Sequence, residues 1–279
     1  MSQKSYDGTP TVYLIPTPIG NLDDITLRSI KVLKSVEVIF SEDTRVTALL
    51  LKHLDISKKL ISSHKFNESE NKNKLIEYLK NGYDVGIVSD RGTPVISDPG
   101  YELAKFAIIN NYNVVGLPGA TALIPALIMS GINPMPFLFY GFLDHKEGKR
   151  KKELQSLNSL SYTLIFYEAP HRLEKTLNNM LEILGNRSIS ISREISKKYE
   201  EVYRGTISEV IEQTVDIKGE LVIIVEPNLE QKSYNNLTLI EHINLYLKEG
   251  YTVKDAIKTV AHERGLSKNE VYMEYHKGE

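Results

Sequence analysis

Residues 85–100 read VGIVSDRGTPVISDPG, and this stretch decides the predicted fold. Its first four residues are apolar or small, as in a short buried strand. After a polar turn, Ser97 or Asp98 predicts a helix start with Pro99 as the first helical residue, because these types suit those positions. A strand, a turn and a helix N-terminus leave backbone N–H groups at the carboxyl edge of a parallel sheet, where ligands bind. Taken alone, a purely structural βα turn explains the stretch equally well.

The same alternation of strand and helix recurs on both sides of this stretch. Strand-like segments are found at 11–15, 36–41 and 114–117, and each leads into a turn and a helical segment. Such repeated units predict an α/β fold with a parallel sheet. Gly131, Pro134 and Pro136 then break the pattern. We therefore predict an N-terminal α/β domain over residues 11–130, preceded by a disordered leader at 1–10.

Beyond the break, the strands become longer and closer to alternating. Helical segments intervene at 147–157 and 171–184, and these features predict a second α/β domain with a mixed sheet over 131–227. A polar linker follows. Capping-box-like starts at Thr238, Thr252 and Ser267 predict helices in a C-terminal segment, 236–279, whose last two helices form a small hairpin.

Composition narrows the functional classes. The 279 residues contain no cysteine, which excludes disulfides, thiolate metal sites and a cysteine nucleophile. The formal net charge of −2 argues against binding nucleic acid by bulk charge. The chain has neither an apolar run of membrane-spanning length nor a secretory h-region, so we expect a cytoplasmic protein with no membrane partner. The histidines lack the spacing of a metal motif, and no metal is expected.

Turns rich in glycine, proline and small residues follow several predicted strands. They lie at 16–21, 90–94, 118–121 and 167–172, and such residues allow the backbone to approach a ligand closely. None of them matches GxGxxG or GxxxxGK[ST], which disfavours a nicotinamide enzyme and a P-loop ATPase.

Several motifs carry a resemblance to a known family. The segments are, in order, PTPIGNLDDIT, SEDTR, VSDRGTPVISDPG, LPGATALIPALIMSG, GFL, FYEAPHR, SREISKKYEE and KGELVIIVE. From Tyr13 to Val225 the chain resembles the bacterial small-subunit ribosomal RNA cytidine 2′-O-methyltransferases, which have the tetrapyrrole-methylase fold. The resemblance implies two α/β domains with S-adenosyl-L-methionine (AdoMet) in the cleft between them, and a homodimer.

The resemblance also implies which residues bind the cofactor. Matched by motif, they are Pro18, Asp90, Gly92, Thr93, Pro118, Gly119, Ala120, Thr121, Phe166, Tyr167, Gly219 and Leu221. One position departs from the family, which usually has a small residue where this chain has Arg91. The Arg91 side chain either enters the cleft and crowds the ligand or leaves toward solvent.

Methyl transfer to a ribose hydroxyl needs in-line placement of the 2′-oxygen and is helped by a base. The resemblance places catalytic roles on Glu42, Arg45, Glu168, His171 and Arg172. Each has a structural alternative. Glu42 and Asp43 could simply favour a helix start, His171 could be a surface residue, and the arginines could be ion-pair partners instead of phosphate ligands. The base stays open among Glu42, Asp43, Glu168, His171 and Glu194.

Basic residues concentrate in three places on this slightly acidic chain, which favours phosphate contacts over an ordinary solvated face. The predicted RNA-binding residues are Lys146, Lys149, Arg150, Lys151, Lys152, Arg193, Lys197, Lys254, Lys258, Arg264 and Lys268.

The leading hypothesis is AdoMet-dependent 2′-O-methylation of a cytidine in the decoding region of 16S ribosomal RNA within the assembled small subunit. A tetrapyrrole or small-molecule methyltransferase of the same fold is one alternative, and a non-enzymatic RNA-binding protein is another. The SEDTR and YEAPHR segments, the basic residues at 145–152 and the C-terminal hairpin oppose the small-molecule alternative.

Overall fold

A computed structural model describes residues 3–5, 7–64, 67–228, 237–248 and 250–277. The chain divides into two compact units, Met1–Pro227 and Asn228–Glu279. The first unit contains two five-stranded sheets, and the second consists of helices. In the part of the chain that the structure describes, no helix combines the length and apolarity needed to cross a membrane.

The first sheet is parallel, with strand order β3-β2-β4-β1-β5. Its strands are β1 (Thr11–Leu14), β2 (Val38–Ser41), β3 (Lys59–Ser62), β4 (Val85–Val88) and β5 (Asn113–Gly116). The helices that connect or follow them are α1 (Leu27–Ser35), α2 (Thr44–His53), α3 (Glu68–Lys80), α4 (Tyr101–Ile109) and α5 (Leu123–Met129). Both β2 and β4 are buried along their whole length, because helices cover both faces of a parallel sheet.

Strand β3 was not predicted from the sequence. It has only two apolar residues, Leu60 and Ile61, and it lies at the edge of the sheet, paired with β2 alone. An edge strand that is exposed at both ends carries little hydrophobic pattern, so backbone pairing defines it.

The predicted start of the fourth helix is wrong. The helix α4 begins at Tyr101, and Gly100 is its N-cap with φ +117°. Val95 and Ser97 have φ +78° and +66°, which a right-handed helix does not accommodate, and the Val95 N–H donates to the Pro99 carbonyl at 3.3 Å. Residues 89–99 therefore form a long loop at the carboxyl end of β4.

The second sheet is mixed, as predicted, with strand order β6-β7-β10-β8-β9. Only β6 and β7 are parallel to each other. The strands are β6 (Phe137–Phe142), β7 (Thr163–Glu168), β8 (Ser188–Arg193), β9 (Glu201–Thr206) and β10 (Leu221–Val225). The helices are α6 (Glu147–Leu157), α7 (Leu173–Leu184) and α8 (Ile207–Gln213).

Helix α5 joins the two sheets. It follows β5 of the first sheet, yet Ala126 and Leu127 are buried in a cluster with Ile165, Val222 and Ile224 of the second sheet. Packing across the predicted boundary at residue 130 brings both sheets into one compact unit. Independent domains at 11–130 and 131–227 stay a prediction.

Part of the predicted leader lies against β5. The Gln3 side chain donates to the Val114 carbonyl at 3.0 Å and accepts from its N–H at 2.9 Å, and Asn113 donates to Asp7 at 2.9 Å. Residues 1, 2 and 6 of the leader lie outside the described residues, as does most of the predicted linker, 229–236.

The C-terminal unit contains α9 (Leu239–Lys248), α10 (Val253–Arg264) and α11 (Lys268–Lys277). The predicted hairpin corresponds to α10 and α11, and α9 packs against both of them around a small apolar core that includes Ile243, Val260 and Val271. The predicted caps are confirmed, because the backbone N–H groups of Glu241, Asp255 and Glu270 donate to the hydroxyls of Thr238, Thr252 and Ser267.

Candidate functional site

Three of the turns predicted to meet a ligand are joined to one another. They follow β1, β4 and β5, which are neighbours in the first sheet. Thr17 and Gly92 exchange backbone hydrogen bonds of 2.9 and 3.0 Å. The Thr93 hydroxyl donates to the Ala120 carbonyl at 3.0 Å. The carboxyl edge of the sheet is thus a continuous surface of loop backbone.

Glycine is required where these loops approach most closely. Gly92 has φ +80°, a conformation that other residues rarely adopt. A Cβ atom on Gly119 would lie 2.5 Å from the Pro16 Cβ, which is closer than two carbon atoms can pack. The loops after β1 and β5 therefore touch only because residue 119 has no side chain.

We expect Gly119→Ala to lower the free energy of unfolding by about 1–3 kcal/mol, because the added methyl must push the two loops apart. Gly116→Ala in β5 is the matched control, since nothing lies within 4 Å of its Cβ position. Urea denaturation measures both. Equal stability of the two variants would contradict the close approach.

The SEDTR segment lies beside these loops. The Asp43 N–H donates to the Asp90 carboxylate at 2.9 Å, which connects the loops after β2 and β4. Asp43 is the N-cap of α2, which is the helix-start role that the sequence predicts as the alternative to catalysis. Its carboxylate pairs with Arg45 at 2.6 Å. Hydrogen bonds from the Arg45 side chain and backbone lower the pKa of Asp43 to about 2. The Arg45 side chain itself is 88% exposed.

A cleft of about 600 Å³ lies between the loops of the first sheet and the second sheet. Eight of the predicted catalytic and cofactor residues line it: Glu42, Asp90, Gly92, Thr93, Thr121, Tyr167, Glu168 and Leu221. The other predicted residues, as far as the structure describes them, lie outside the lining: Pro18, Arg45, Pro118, Gly119, Ala120, Phe166, His171, Arg172 and Gly219.

Phe166 does not line the cleft. It is wholly buried in the core that the second sheet forms with α6 and α7, so its ring has no surface to offer a ligand. Side chains alternate along a strand, and the neighbouring Tyr167 projects to the other face. Pro18 is buried, Gly119 lies against Pro16, and His171 is exposed on a 3₁₀ turn.

Tyr167 forms an aromatic part of the cleft wall. Phe139 and Phe142 contact its ring edge-on, with centroid distances of 4.9 and 5.6 Å. Burial raises the pKa of Tyr167, although hydrogen bonds from Thr121 and from the Leu123 backbone partly oppose the shift. The phenol therefore stays protonated at neutral pH.

Glu168 is a buried carboxylate whose side chain is 1% exposed, and both of its oxygens contact protein groups. One oxygen accepts from the Ala169 N–H at 2.8 Å and lies 3.2 Å from the Arg172 Nε, and the other accepts from the Thr176 hydroxyl at 2.6 Å. Arg172 in turn donates to the Leu143 carbonyl at 2.6 Å. The Glu168–Arg172 pair thus holds the turn after β6 in place, so Glu168 has a positioning role.

An ionic network lies at the other side of the cleft. Arg91 lines the cleft, and its side chain, which is 51% exposed, pairs with Glu220 at 2.7 Å. Lys197 bridges Glu220 and Glu194 at 2.7 and 2.8 Å. The hydrogen bond from Lys197 lowers the pKa of Glu194. Gly219 allows this arrangement, since a Cβ there would lie 2.5 Å from the Glu194 Cγ.

The predicted basic surface divides into exposed and engaged residues. Arg150 requires a correction, because it is 3% exposed and its guanidinium donates to Asn179 and to backbone carbonyls. Lys151, Arg193, Lys197 and Arg264 are engaged with neighbouring protein groups. The exposed members are Lys146, Lys149, Lys152, Lys254, Lys258 and Lys268. Of these, Lys149 also lies 3.7 Å from the Asp144 carboxylate.

Sequence reasoning missed much of the lining. The missed residues include the apolar Ile19, Val46, Ile96, Phe142, Ile195 and Val222 and the acidic Asp98. Ile19 and Asp98 lie inside motifs that had been singled out, so the motifs were the available signal. Ile195 likewise lies inside SREISKKYEE, whereas Val46 directly follows SEDTR and lies outside the quoted motifs. Among the residues described, no group of three His, Asp or Glu side chains is arranged to hold a metal.

Comparisons with known proteins identify the family. Residues 11–211 match the model of the tetrapyrrole (corrin/porphyrin) methylases. The chain is 48% identical to the ribosomal RNA small subunit methyltransferase I of Bacillus subtilis over 98% of both chains. It is 42% identical to the protein of the same name from Streptococcus pyogenes, over 95% of this chain and 94% of the relative.

Solved structures share the fold at low identity. A uroporphyrin-III-C-methyltransferase from Thermus thermophilus matches with a TM-score of 0.56 and 19% identity, covering 77% of this chain and 94% of that one. A cobalt precorrin-4 methyltransferase matches with a TM-score of 0.60 and 15% identity, over 77% and 94% of the two chains. At this identity the likeness concerns the fold alone.

Proposed function

The chain belongs to the tetrapyrrole methylase family, and from this premise we propose that it transfers a methyl group from AdoMet to the ribosomal RNA of the small subunit. The observation that carries the proposal is the 42–48% identity, over nearly the whole chain, to proteins named for that activity. In more detail, we propose that the methyl acceptor is the 2′-oxygen of a cytidine ribose in the decoding region of 16S ribosomal RNA. The substrate would be the assembled small subunit. A ribosomal substrate would place the enzyme in the cytoplasm, and a homodimer is part of the same proposal.

The cleft suits AdoMet in size and chemistry. Its volume of about 600 Å³ lies within the usual range of small-molecule sites. Apolar side chains such as Ile19, Ile96 and Leu221 offer surface to an adenine ring. Asp90 and Asp98 place negative charge where a cationic ligand would bind. A solved structure of the Thermus thermophilus relative contains S-adenyl homocysteine, which is consistent with this cofactor.

AdoMet supplies a methyl group on a positively charged sulfur, which is already a strong electrophile. The protein therefore contributes mainly alignment of the acceptor oxygen with that group. The joined loops after β1, β4 and β5 would hold the cofactor, and the Tyr167 wall would limit its movement. Such preorganisation places the reacting atoms without further rearrangement.

The proton of the acceptor hydroxyl needs a destination, and we assign it to Glu42. Of the sequence candidates for the base, Glu42 and Glu168 line the cleft. Glu42 is partly exposed and accepts from the Asp90 N–H at 3.5 Å, whereas the Glu168 side chain is only 1% exposed. Glu168 accepts internal hydrogen bonds at both oxygens. Of the sequence candidates that lie in the cleft, Glu42 is thus the better placed to act as a base.

The RNA surface is proposed to begin at the edge of the cleft. Phe142 lines the cleft, and the exposed Lys146, Lys149 and Lys152 follow it on the next turn and on α6. Arg172 holds the intervening backbone through the Leu143 carbonyl. A substrate ribose in the cleft would therefore have its flanking phosphates near these lysines.

We expect the double variant Lys149→Glu and Lys152→Glu to weaken RNA binding and to reduce the slope of log affinity against log salt by about 2, because two phosphate contacts are lost. AdoMet affinity should not change. Filter binding over a range of salt concentrations measures the first effect, and calorimetric titration the second. The matched control is Lys31→Glu with Lys34→Glu, which has the same spacing on α1. A parallel loss of AdoMet affinity would contradict a separate RNA surface.

Methyl transfer from labelled AdoMet to unmethylated small subunits tests the function, with naked 16S RNA and a tetrapyrrole as parallel acceptors. A 2′-O-methyl group blocks alkaline cleavage at its nucleotide, so label in an alkali-resistant dinucleotide is expected. Label in the tetrapyrrole alone would overturn the RNA substrate in favour of the small-molecule alternative. Absence of AdoMet binding would favour a non-enzymatic RNA-binding protein.

A further inference from the structure

The Arg91–Glu220 ion pair lies across the opening of the cleft. Arg91 is in the loop after β4 of the first sheet, and Glu220 directly precedes β10 of the second sheet. Both residues line the cleft, and their charged atoms are 2.7 Å apart. The side chains are 51% and 64% exposed, so the pair lies at the mouth of the cleft and not at its floor.

The two partners differ in how firmly they are held. The second oxygen of Glu220 binds the Lys197 Nζ at 2.7 Å, and the backbone N–H of Glu220 donates to Glu194 at 2.9 Å. The Lys197 stem also packs on Gly20 in the loop after β1, where an added Cβ would overlap it. Glu220 is therefore anchored from several sides. Arg91 has a long side chain, and among the residues that the structure describes its guanidinium hydrogen-bonds to Glu220 alone.

Charge also distinguishes Arg91 from its surroundings. The other charged residues known to line the cleft are Glu42, Asp90, Asp98, Glu168 and Glu220, all of them acidic. A rotation of Arg91 away from Glu220 would open the mouth without disturbing the Glu220 anchor. In this ion pair Glu220 is therefore the fixed partner and Arg91 is the movable one.

We propose that the Arg91–Glu220 pair is a gate that slows the exchange of AdoMet and its demethylated product, S-adenosylhomocysteine, between cleft and solvent. This inference rests on the proposed function, because it assumes that the cleft binds these ligands. An exposed ion pair is weak and is screened by salt, so it opens readily and changes rates by a small factor. The gate sets the residence time of the ligand and leaves the methyl-transfer step unchanged.

The test is the release rate of S-adenosylhomocysteine from the full-length protein, followed by surface plasmon resonance at about 0.05 M and about 0.5 M NaCl. Arg91→Ala should release the ligand about two- to fivefold faster than the wild type at low salt. Raising the salt should accelerate release from the wild type but not from Arg91→Ala. Arg91→Lys keeps the charge and should retain the salt dependence.

The double variant Arg91→Ala with Glu220→Ala separates the effect of the ion pair from the effects of the two individual side chains. Glu220→Ala removes the ion pair with Lys197 as well as the one with Arg91. Adding Arg91→Ala to Glu220→Ala should therefore cause no further acceleration of release, because Arg91 has already lost its partner. Lys72→Ala is the control, since it removes a comparable ion pair with Glu102 that lies outside the cleft lining, and its release rate should equal that of the wild type.

The outcomes distinguish this inference from the proposed function. Unchanged release from Arg91→Ala, or additive effects in the double variant, would overturn the gate while the proposed function stands. If the wild type binds neither AdoMet nor S-adenosylhomocysteine, both are overturned.

Discussion

Glu42→Gln is expected to lower the rate of methyl transfer by about 100-fold at saturating AdoMet and RNA. Positioned general bases contribute roughly this factor or more, and glutamine keeps the shape of the side chain without accepting a proton. Single-turnover transfer to unmethylated small subunits measures the rate. Because the change removes proton acceptance and little volume, the dissociation constant for AdoMet should change less than the rate does.

The control for this prediction is Glu37→Gln, the same change at an exposed position just before β2. It should leave the rate unaltered. If Glu42→Gln transfers methyl groups within about threefold of the wild type, proton removal is not its role and alignment alone carries the reaction. A loss confined to AdoMet affinity would instead make Glu42 a cofactor ligand.

Glu168→Ala is expected to lower the free energy of unfolding by about 3 kcal/mol. Removing one member of a buried ion pair leaves the other charge without its partner, and Arg172 is only 21% exposed at its side chain. The Thr176 hydroxyl and the Ala169 N–H lose an acceptor as well. Urea denaturation with two spectroscopic probes measures the change.

Two further variants make the cause identifiable. Glu168→Ala combined with Arg172→Ala should be more stable than the sum of the single changes predicts, because no uncompensated guanidinium remains. Glu212→Ala, at an exposed position on α8, should change stability by less than about 0.5 kcal/mol. A Glu168→Ala protein as stable as the Glu212→Ala control would show that the ion pair is not structurally important.

The positioning role of Glu168 has a consequence for the proposed RNA surface. Arg172 connects the buried carboxylate to the Leu143 carbonyl, and the exposed lysines of α6 follow that turn. Loss of Glu168 should therefore weaken RNA binding through displaced backbone, without removing any basic side chain. The lysine variants, by contrast, should weaken RNA binding while the protein keeps its full stability.

The elements that depend on near neighbours in the chain were predictable from sequence. The parallel first sheet, the mixed second sheet and the capping boxes of the C-terminal helices all follow from periodicity and from residues three or four positions apart. The meeting of the loops after β1, β4 and β5 was also predictable, because carboxyl ends of parallel strands share one edge. Strand β3 was missed because its pairing with β2 defines it more than its own four residues do.

Tertiary structure alone decided which side chains reach the cleft and which are buried. Arg91 and Glu220 are 129 positions apart, and no local pattern relates them. Arg150 belongs to a basic run, yet the packing of α6 against α7 places its guanidinium on Asn179 instead of in solvent. The physical reason is that exposure and pairing depend on the face of each element that meets another. Sequence determines the faces of each element, and the packing of the two sheets determines which faces become the site.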